Sequence, residues 1–245
     1  MAVLTRPIAV PRTVLLHLWE LERLGEAHPL LSANDMYVPL AGREEFTREC
    51  FRALAEQGLA QGDTLTRDFR VALRVIASPD REIYCWSSCV DAGQDRKVAV
   101  MTAGGEAVAM QVKGETVGIV PSDERRLVED FVTDLPERPP ATTRELHTSR
   151  AAFDQRDRNH DMFASRLTQE KELEKHLKAP REAVHQVYVA GNSEGRHRRS
   201  KPFSVIDIRG QGRVLTFADG QDNLHCLPGT PANLTKTLTA TWQSL

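Results

Sequence analysis

Two short motifs contain residue types that bind metal ions, but neither completes the pattern of a metal site. The Cys85–Cys89 pair (C-x3-C) has no second Cys/His pair at ligand spacing, so buried or edge thiols explain it better than zinc. The run Asp157–Asp161 (D-x-N-x-D) resembles the start of a calcium loop. Met162 replaces its required glycine, and Thr168 replaces its final glutamate. We therefore predict no metal and no cofactor.

Catalytic and nucleotide-binding motifs are equally incomplete. Gly210–Gly212 (G-Q-G) lacks the third glycine of a dinucleotide loop and leads into a predicted strand, which favours a hairpin turn. The chain has neither a P-loop nor a nucleophile elbow. Four histidines lie in polar helical segments or a loop and are expected to face solvent: His147, His160, His176 and His197. No constellation of residues indicates an active site, so we predict that the chain is not an enzyme.

One local charge cluster stands out, the basic segment Arg196–Lys201 (RHRRSK) between two predicted strands. Nucleic-acid binding would need a basic surface beyond one loop, or interleaved aromatic residues for stacking, and the sequence shows neither. A mobile, solvated hairpin loop is a second interpretation. A protein-binding tip is the third, because arginine is enriched at protein interfaces. The sequence leaves all three open, with nucleic-acid binding the weakest.

The spacing of apolar residues predicts helices followed by strands, twice over. Helices are predicted at about 15–24, 42–57, 65–77 and 122–135, and again at 150–161, 162–178 and 230–242. Strands are predicted at 82–90, 97–103, 106–112 and 116–120, and again at 183–190, 202–208, 213–218 and 223–227. Residues 36–40 are expected to be extended, and the adjacent prolines of 137–143 indicate a linker.

The ends of the two halves share a spacing that indicates an internal repeat. Each has a strand end, a proline and three apolar anchors four residues apart, which places the anchors on one helix face. The two sets are Pro121 with Leu127, Phe131 and Leu135, and Pro228 with Leu234, Leu238 and Trp242. We predict two pseudo-symmetric halves, residues 1–136 and 137–245, that share one continuous antiparallel sheet and bury these anchors.

Composition and charge fit an ordinary globular protein. The 245 residues are 40% hydrophobic and 27% charged, and the net charge of −2 provides no general field for nucleic acid or an anionic membrane. The first residues do not resemble a signal peptide, and no apolar run is long enough to span a bilayer. Four cysteines lie in predicted helices and strands, which favours reduced thiols in a cytoplasm: Cys50, Cys85, Cys89 and Cys226.

Several features in order resemble the EspG family of actinobacterial proteins, which are associated with type VII (ESX) secretion. They are Leu73–Ile83 (L-x-x-I-A-x-P-x-R-E-I), a glycine-centred hairpin before Ala107–Val108, the two strand-proline-helix closures, and the basic loop leading into Phe203–Asp207. The resemblance extends over roughly Val14 to Trp242, although no single motif is diagnostic. It implies an α+β fold with a central antiparallel sheet flanked by two helical bundles.

The resemblance also implies a function. Members of the family are cytosolic, non-enzymatic escorts that bind the tip of a helical PE–PPE heterodimer, keep it soluble and deliver it to the secretion machinery. We therefore expect a PE–PPE-like heterodimer as the partner. The alternative is a nucleic-acid-binding module that uses the basic loop 196–201. We place the partner-binding surface on the C-terminal half, at Val187, Val189, Arg196, Arg198, Arg199, Phe203 and Val205.

Overall fold

A computed structural model describes residues 4–31, 42–155, 168–193 and 196–245. Within these residues the chain forms seven α-helices and thirteen β-strands, an α+β fold with a large antiparallel sheet. The predicted fold class is confirmed at this level. The chain divides into two compact units, which do not follow a single cut: one contains residues 1–82, 96–130 and 191–196, and the other 83–95, 131–190 and 197–245.

The first unit has strand order β1-β7-β6-β5 and a helix packed on it. Its strands are β1 (Ile8–Pro11), β5 (Arg96–Ala103), β6 (Glu106–Lys113) and β7 (Thr116–Pro121), and a separate hairpin joins β2 (Ala60–Gln61) to β3 (Thr64–Leu65). Its helices are α1 (Arg12–Leu21), α2 (Arg43–Glu56) and α3 (Arg67–Ala77). The apolar residues of α3 recur at helical spacing, so Phe69, Leu73 and Ile76 are buried together against β5 and β6.

The second unit has strand order β4-β9-β11-β12-β13-β8, and β10 pairs with β9. The strands are β4 (Arg81–Cys89, of which Ile83 onward belongs here), β8 (Leu146–Ser149), β9 (Arg181–Ser193, of which the part up to Ala190 belongs here), β10 (Arg196–Arg199, of which His197 onward belongs here), β11 (Phe203–Ile208), β12 (Gly212–Ala218) and β13 (Asn223–Pro228). The helices are α5 (Arg150–Asp154), α6 (Gln169–Lys178) and α7 (Pro231–Ser244), and α4 (Leu127–Asp134) runs from the first unit into this one.

Three helices of the second unit begin at hydroxyl caps, which satisfy backbone N–H groups that lack a helical partner. Ser149, Thr168 and Thr230 each accept a hydrogen bond from the backbone N–H three residues later. Pro231 then occupies the first turn of α7, where a missing N–H has no cost. On one face of the strands, Leu173 of α6 joins a core cluster with Leu146, Ile206, Ile208, Val214 and Cys226.

Most of the predicted helices and strands are confirmed within the described residues, with shifts of a few residues at their ends. The helices expected at 150–161 and 162–178 are shorter, because α5 ends at Asp154 with Gln155 as its C-cap and α6 begins at Gln169 after the cap residue Thr168. The helix expected at 122–135 is shorter, because a 3-10 turn at Glu124–Arg126 precedes α4. The extended segment 36–40, the D-x-N-x-D run and His160 lie outside the described residues. No helix among the described residues has the length and apolar character needed to cross a membrane.

Sequence analysis missed two short strands that occupy matching places in the chain order. β1 precedes α1 and pairs antiparallel with β7, and β8 precedes α5 and pairs antiparallel with β13. In both cases the strand before the helices joins the final strand of a meander. This agrees with the expected repeat, although superposition of the halves stays a prediction.

The predicted anchors are buried, with one exception. Leu127, Phe131, Leu135, Leu234 and Leu238 are each at most 8% exposed. Trp242 is only partly buried, so that prediction was wrong. It lies in the last turn of α7, where the end of the helix leaves part of the ring uncovered.

Gly210–Gly212 is the predicted hairpin turn, between β11 and β12. Gly210 has φ +68° and Gly212 has φ +96°, in the region that side chains disfavour. A β carbon on Gly212 would lie 2.7 Å from the carbonyl oxygen of Pro139 and 2.8 Å from that of Pro140. One on Gly210 would have nothing within 4 Å. The segment after α4 therefore passes against the hairpin at Gly212.

We predict that Gly212→Ala lowers the free energy of unfolding by about 3 kcal/mol or more, because backbone strain and overlap with two carbonyl groups add together. Gly210→Ala is the matched control, because it introduces the strain alone and should cost about 1 kcal/mol. Urea denaturation of both variants measures the difference. Equal losses would contradict the close approach of residues 139–141 to the hairpin.

Candidate protein-binding surface

The structure divides the predicted site residues into two groups. The three arginines are exposed on β10. The four apolar residues on β9 and β11 are each at most 5% exposed: Val187, Val189, Phe203 and Val205. They belong to the core beneath these strands and do not form one surface with the arginines. A role for the arginines in partner binding stays a prediction.

The basic segment is an edge strand and not the loop expected from the sequence. The Ser200 backbone N–H donates to the Val189 carbonyl at 2.8 Å, and the Val189 N–H donates to the Ser200 hydroxyl at 3.0 Å. These bonds hold the residue directly after β10 against β9, with which β10 pairs. Within the described part of the chain, Arg196, Arg198 and Arg199 have no carboxylate partner. β10 therefore presents three arginine charges that no carboxylate of the described residues neutralises.

Sequence analysis overlooked three aromatic residues beside this strand. Tyr84 and Trp86 of β4 and Tyr188 of β9, here called the aromatic cluster, pack against one another. The rings of Tyr84 and Tyr188 stack with centroids 5.3 Å apart, and Trp86 meets Tyr188 edge to face at 5.6 Å. Tyr84 is buried, whereas Trp86 and Tyr188 are partly exposed. Because side chains alternate along a strand, Tyr188 lies on the face opposite the buried Val187 and Val189. This alternation is visible in the sequence and could have placed Tyr188 on the other face.

Arg199 connects the aromatic cluster with β10. Its guanidinium carbon lies 5.1 Å from the centre of the Tyr188 ring, in cation–π geometry. Its Nη1 donates to the Tyr84 hydroxyl at 3.4 Å. That hydrogen bond, followed by the Coulombic interaction with Tyr84, raises the pKa of Arg199. The charged, planar guanidinium of Arg199 therefore lies against an aromatic ring at the surface.

A buried polar network lies within the strands that carry this surface. Ser87 and His185 Nδ1 are 2.8 Å apart, and His185 Nε2 lies 3.3 Å from the Asp207 carboxylate. Arg213 donates two hydrogen bonds to Asp207, at 2.6 and 2.9 Å. Burial by itself would raise the pKa of Asp207, but hydrogen bonds from His185 and Arg213 lower it to about 2. Asp207 is therefore ionised and His185 donates to it.

These residues have the types of a catalytic triad but not its access or orientation. A triad histidine faces its nucleophile with Nε2, whereas His185 faces Ser87 with Nδ1. His185 is 0% exposed and Ser87 7% exposed, so a substrate has no route to them. The bidentate Arg213 also neutralises Asp207 without help from the histidine. The network joins β4, β9, β11 and β12 and holds the second unit together.

His176, Cys50 and Cys226 are buried. His176 was expected to face solvent, but it is 7% exposed and lies 3.1 Å from the Thr143 hydroxyl, and burial lowers its pKa. It lies one turn from the buried Leu173, which explains the error. Burial raises the pKa of Cys50 to about 11 and of Cys226 to about 12, so these thiols are unreactive. The described residues contain no group of three or more His, Cys, Asp and Glu side chains arranged to hold a metal.

Comparison with known proteins identifies the family. The model of the EspG family matches residues 12–240. The chain belongs to the EspG family. Its fold is similar to that of the Mycobacterium tuberculosis type VII secretion system chaperone EspG5, solved in complex with the PE25–PPE41 dimer. The two are 15% identical over 95% of this chain and 94% of that chain, with a TM-score of 0.69. No functionally curated protein matches the chain by sequence.

In this EspG-family chain, we predict that Asp207→Asn lowers the free energy of unfolding by about 3–5 kcal/mol, because it leaves the buried Arg213 without its counter-charge. Asp222→Asn is the control. It removes a carboxylate paired with Arg150 and Lys201 at the surface, where solvent screens the charges, and should change stability little. Chemical denaturation at neutral pH measures both, and equal effects would contradict the structural role of the network.

The same carboxylate gives a dependence on pH. The pKa of Asp207 in the folded protein, about 2, lies below its ordinary value of 3.8. Its contribution to stability is therefore complete above the ordinary pKa and is lost as the pH falls through the folded value. The difference in unfolding free energy between wild type and Asp207→Asn should shrink between about pH 4 and pH 2. A constant difference across that range would show that Asp207 keeps an ordinary pKa.

Proposed function

We propose that this chain is a cytoplasmic, non-enzymatic escort of type VII secretion. It binds the tip of a helical PE–PPE-like heterodimer, keeps that client soluble and delivers it to the secretion machinery. The observation that carries the proposal is membership of the EspG family over residues 12–240. The fold shared with EspG5, which was solved in complex with a PE25–PPE41 dimer, supports the class of client.

The side-chain chemistry of the described residues is consistent with a binding protein. The triad-like network is enclosed, and its charge is neutralised internally. By contrast, the outer face of the second unit carries Trp86, Tyr188 and Arg199, which are the residue types that contribute most to protein–protein affinity. We propose that the client docks on this face, with β10 supplying positive charge at its edge.

We also propose that the two halves are pseudo-symmetric repeats that form the central sheet, with a helical bundle beside each. The matching positions of β1 against β7 and β8 against β13 support this arrangement, as do the two strand-proline-helix closures. Duplication would provide two similar platforms. In our proposal the second has acquired the binding surface, because β10 follows its first long strand, where the first half has only the short connection 90–95.

Co-expression with a PE–PPE pair encoded beside this chain tests the escort function. We expect a stable complex in gel filtration and more heterodimer in the soluble fraction than without the escort. A PE–PPE pair from an unrelated secretion locus is the specificity control. If the cognate pair neither binds nor gains solubility, the proposed function is wrong.

The basic strand can be tested within that complex. Replacing Arg196, Arg198 and Arg199 with Glu should weaken client binding by roughly 2 kcal/mol or more, because at least one charged contact is lost and repulsion is added. Thermal stability should change little, because all three side chains are exposed. A matched triple variant at the exposed Arg48, Arg52 and Arg67 makes the same change of net charge elsewhere. Wild-type affinity of the β10 variant by calorimetry would exclude a role for this strand.

A further inference from the structure

We propose that Arg199 and Trp86 form a specificity site for one kind of client group, a carboxylate with an apolar side chain beside it. Asp or Glu at the tip of the client would bind the guanidinium, and the neighbouring apolar side chain would cover Trp86. The inference rests on the proposed escort function and adds the chemistry that selects the client. It is carried by the contact of Arg199 with the aromatic cluster.

The guanidinium of Arg199 is organised before any partner arrives. The Tyr188 ring supports its face and the Tyr84 hydroxyl accepts from Nη1, so two contacts restrict a side chain that is otherwise flexible. Organising a side chain in advance lowers the entropy that binding must remove. A guanidinium has five N–H donors in a planar fork that matches a carboxylate. Within the described residues no carboxylate pairs with Arg199, which leaves the fork available to a ligand.

The surroundings favour an acidic partner. All four side chains of β10 are exposed, and three of them are arginines without a carboxylate partner in the described part of the chain. Lys201, which follows them, pairs with Asp222 at 3.0 Å, a carboxylate that also pairs with Arg150. The positive charge is thus local to β10 in a chain whose net charge is −2. Complementary potentials of this kind guide association and exclude partners of the same sign.

An apolar group next to the carboxylate follows from the exposure of the aromatic cluster. Trp86 and Tyr188 are partly exposed, so a partner can remove their remaining surface from water. An ion pair contributes most where neighbouring contacts exclude water from it. A carboxylate alone would leave the pair with Arg199 solvated and weak. The site therefore distinguishes an acidic residue beside an apolar one from acidic residues in general.

Nucleic acid is the competing ligand, because arginines next to aromatic rings can bind single strands by stacking. The geometry disfavours it. Tyr84 is 2% exposed, and the Tyr188 ring already stacks on Tyr84 and carries Arg199, so neither offers an open face to successive bases. Trp86 would remain as one stacking position, and the net charge of −2 provides no general field for a polyanion.

Two conservative variants separate the specificity site from general charge. Arg199→Lys keeps the charge but loses the planar fork, and should weaken binding of the cognate PE–PPE heterodimer by roughly tenfold or more. Arg52→Lys makes the same change at an exposed arginine of α2, outside the proposed surface, and should leave affinity unchanged. Trp86→Ala should weaken binding of the heterodimer by a factor similar to that of Arg199→Lys. Thermal denaturation checks that each variant is folded.

The client provides the second arm of the experiment. Each Asp and Glu at the heterodimer tip is changed to its amide, and affinities are measured with wild type and with Arg199→Lys. One amide variant should weaken wild-type binding but add little loss in Arg199→Lys, as expected for a direct pair. Additive losses at every tip carboxylate would overturn the proposal. So would a heterodimer that binds wild type, Arg199→Lys and Trp86→Ala equally well, although the escort function would then stand.

The remaining outcomes also have a definite meaning. If wild type binds no PE–PPE heterodimer, the escort function fails and this inference fails with it. A labelled oligothymidine is titrated in parallel at several salt concentrations. Tight binding of the oligonucleotide with a steep salt dependence, lost in Trp86→Ala, would assign the surface to nucleic acid and overturn the proposal.

Discussion

The buried ion pair between Asp207 and Arg213 is the constraint on which the second unit depends. A carboxylate and a guanidinium removed from water are tolerated only if their hydrogen bonds are satisfied. Here Arg213 donates hydrogen bonds to Asp207 from two nitrogens. His185 lies between Asp207 and Ser87 and is within hydrogen-bond distance of both. The four residues lie on four neighbouring strands, which can pair in only one register if this network is to form. Apolar contacts alone would tolerate more alternatives.

Register on the inner face also determines the outer face, because side chains alternate along each strand. With His185, Val187 and Val189 directed inward, Tyr188 must lie on the other side of β9. A slip of one residue would expose the valines and bury Tyr188. The aromatic cluster and the support for Arg199 are thus consequences of a buried polar network. A mutation of the network would disturb the proposed binding surface from within the sheet.

Local patterns in the sequence were sufficient for most elements of the fold. The Pro121 and Pro228 closures with apolar residues every four positions located α4 and α7. The strands β1, β8 and β10 were missed because each has four residues, too few for a clear alternation. The aromatic cluster was missed for a different reason. It joins Tyr84 to Tyr188, about a hundred residues away, through the pairing of β4 with β9, and local spacing holds no record of that pairing.

Positive charge on β10 does not by itself indicate binding, since charged side chains on an edge strand also prevent pairing with other chains. That role requires only exposure, and Arg196 and Arg198 meet the requirement. It does not explain the contacts of Arg199, because a charge that only prevents strand pairing gains nothing when its side chain is restricted against a tyrosine ring. The contact with Tyr188 and Tyr84 holds a charge in one orientation at the surface. Such a restriction is useful when a partner must meet the guanidinium in a fixed geometry, and this singles out Arg199 among the three arginines.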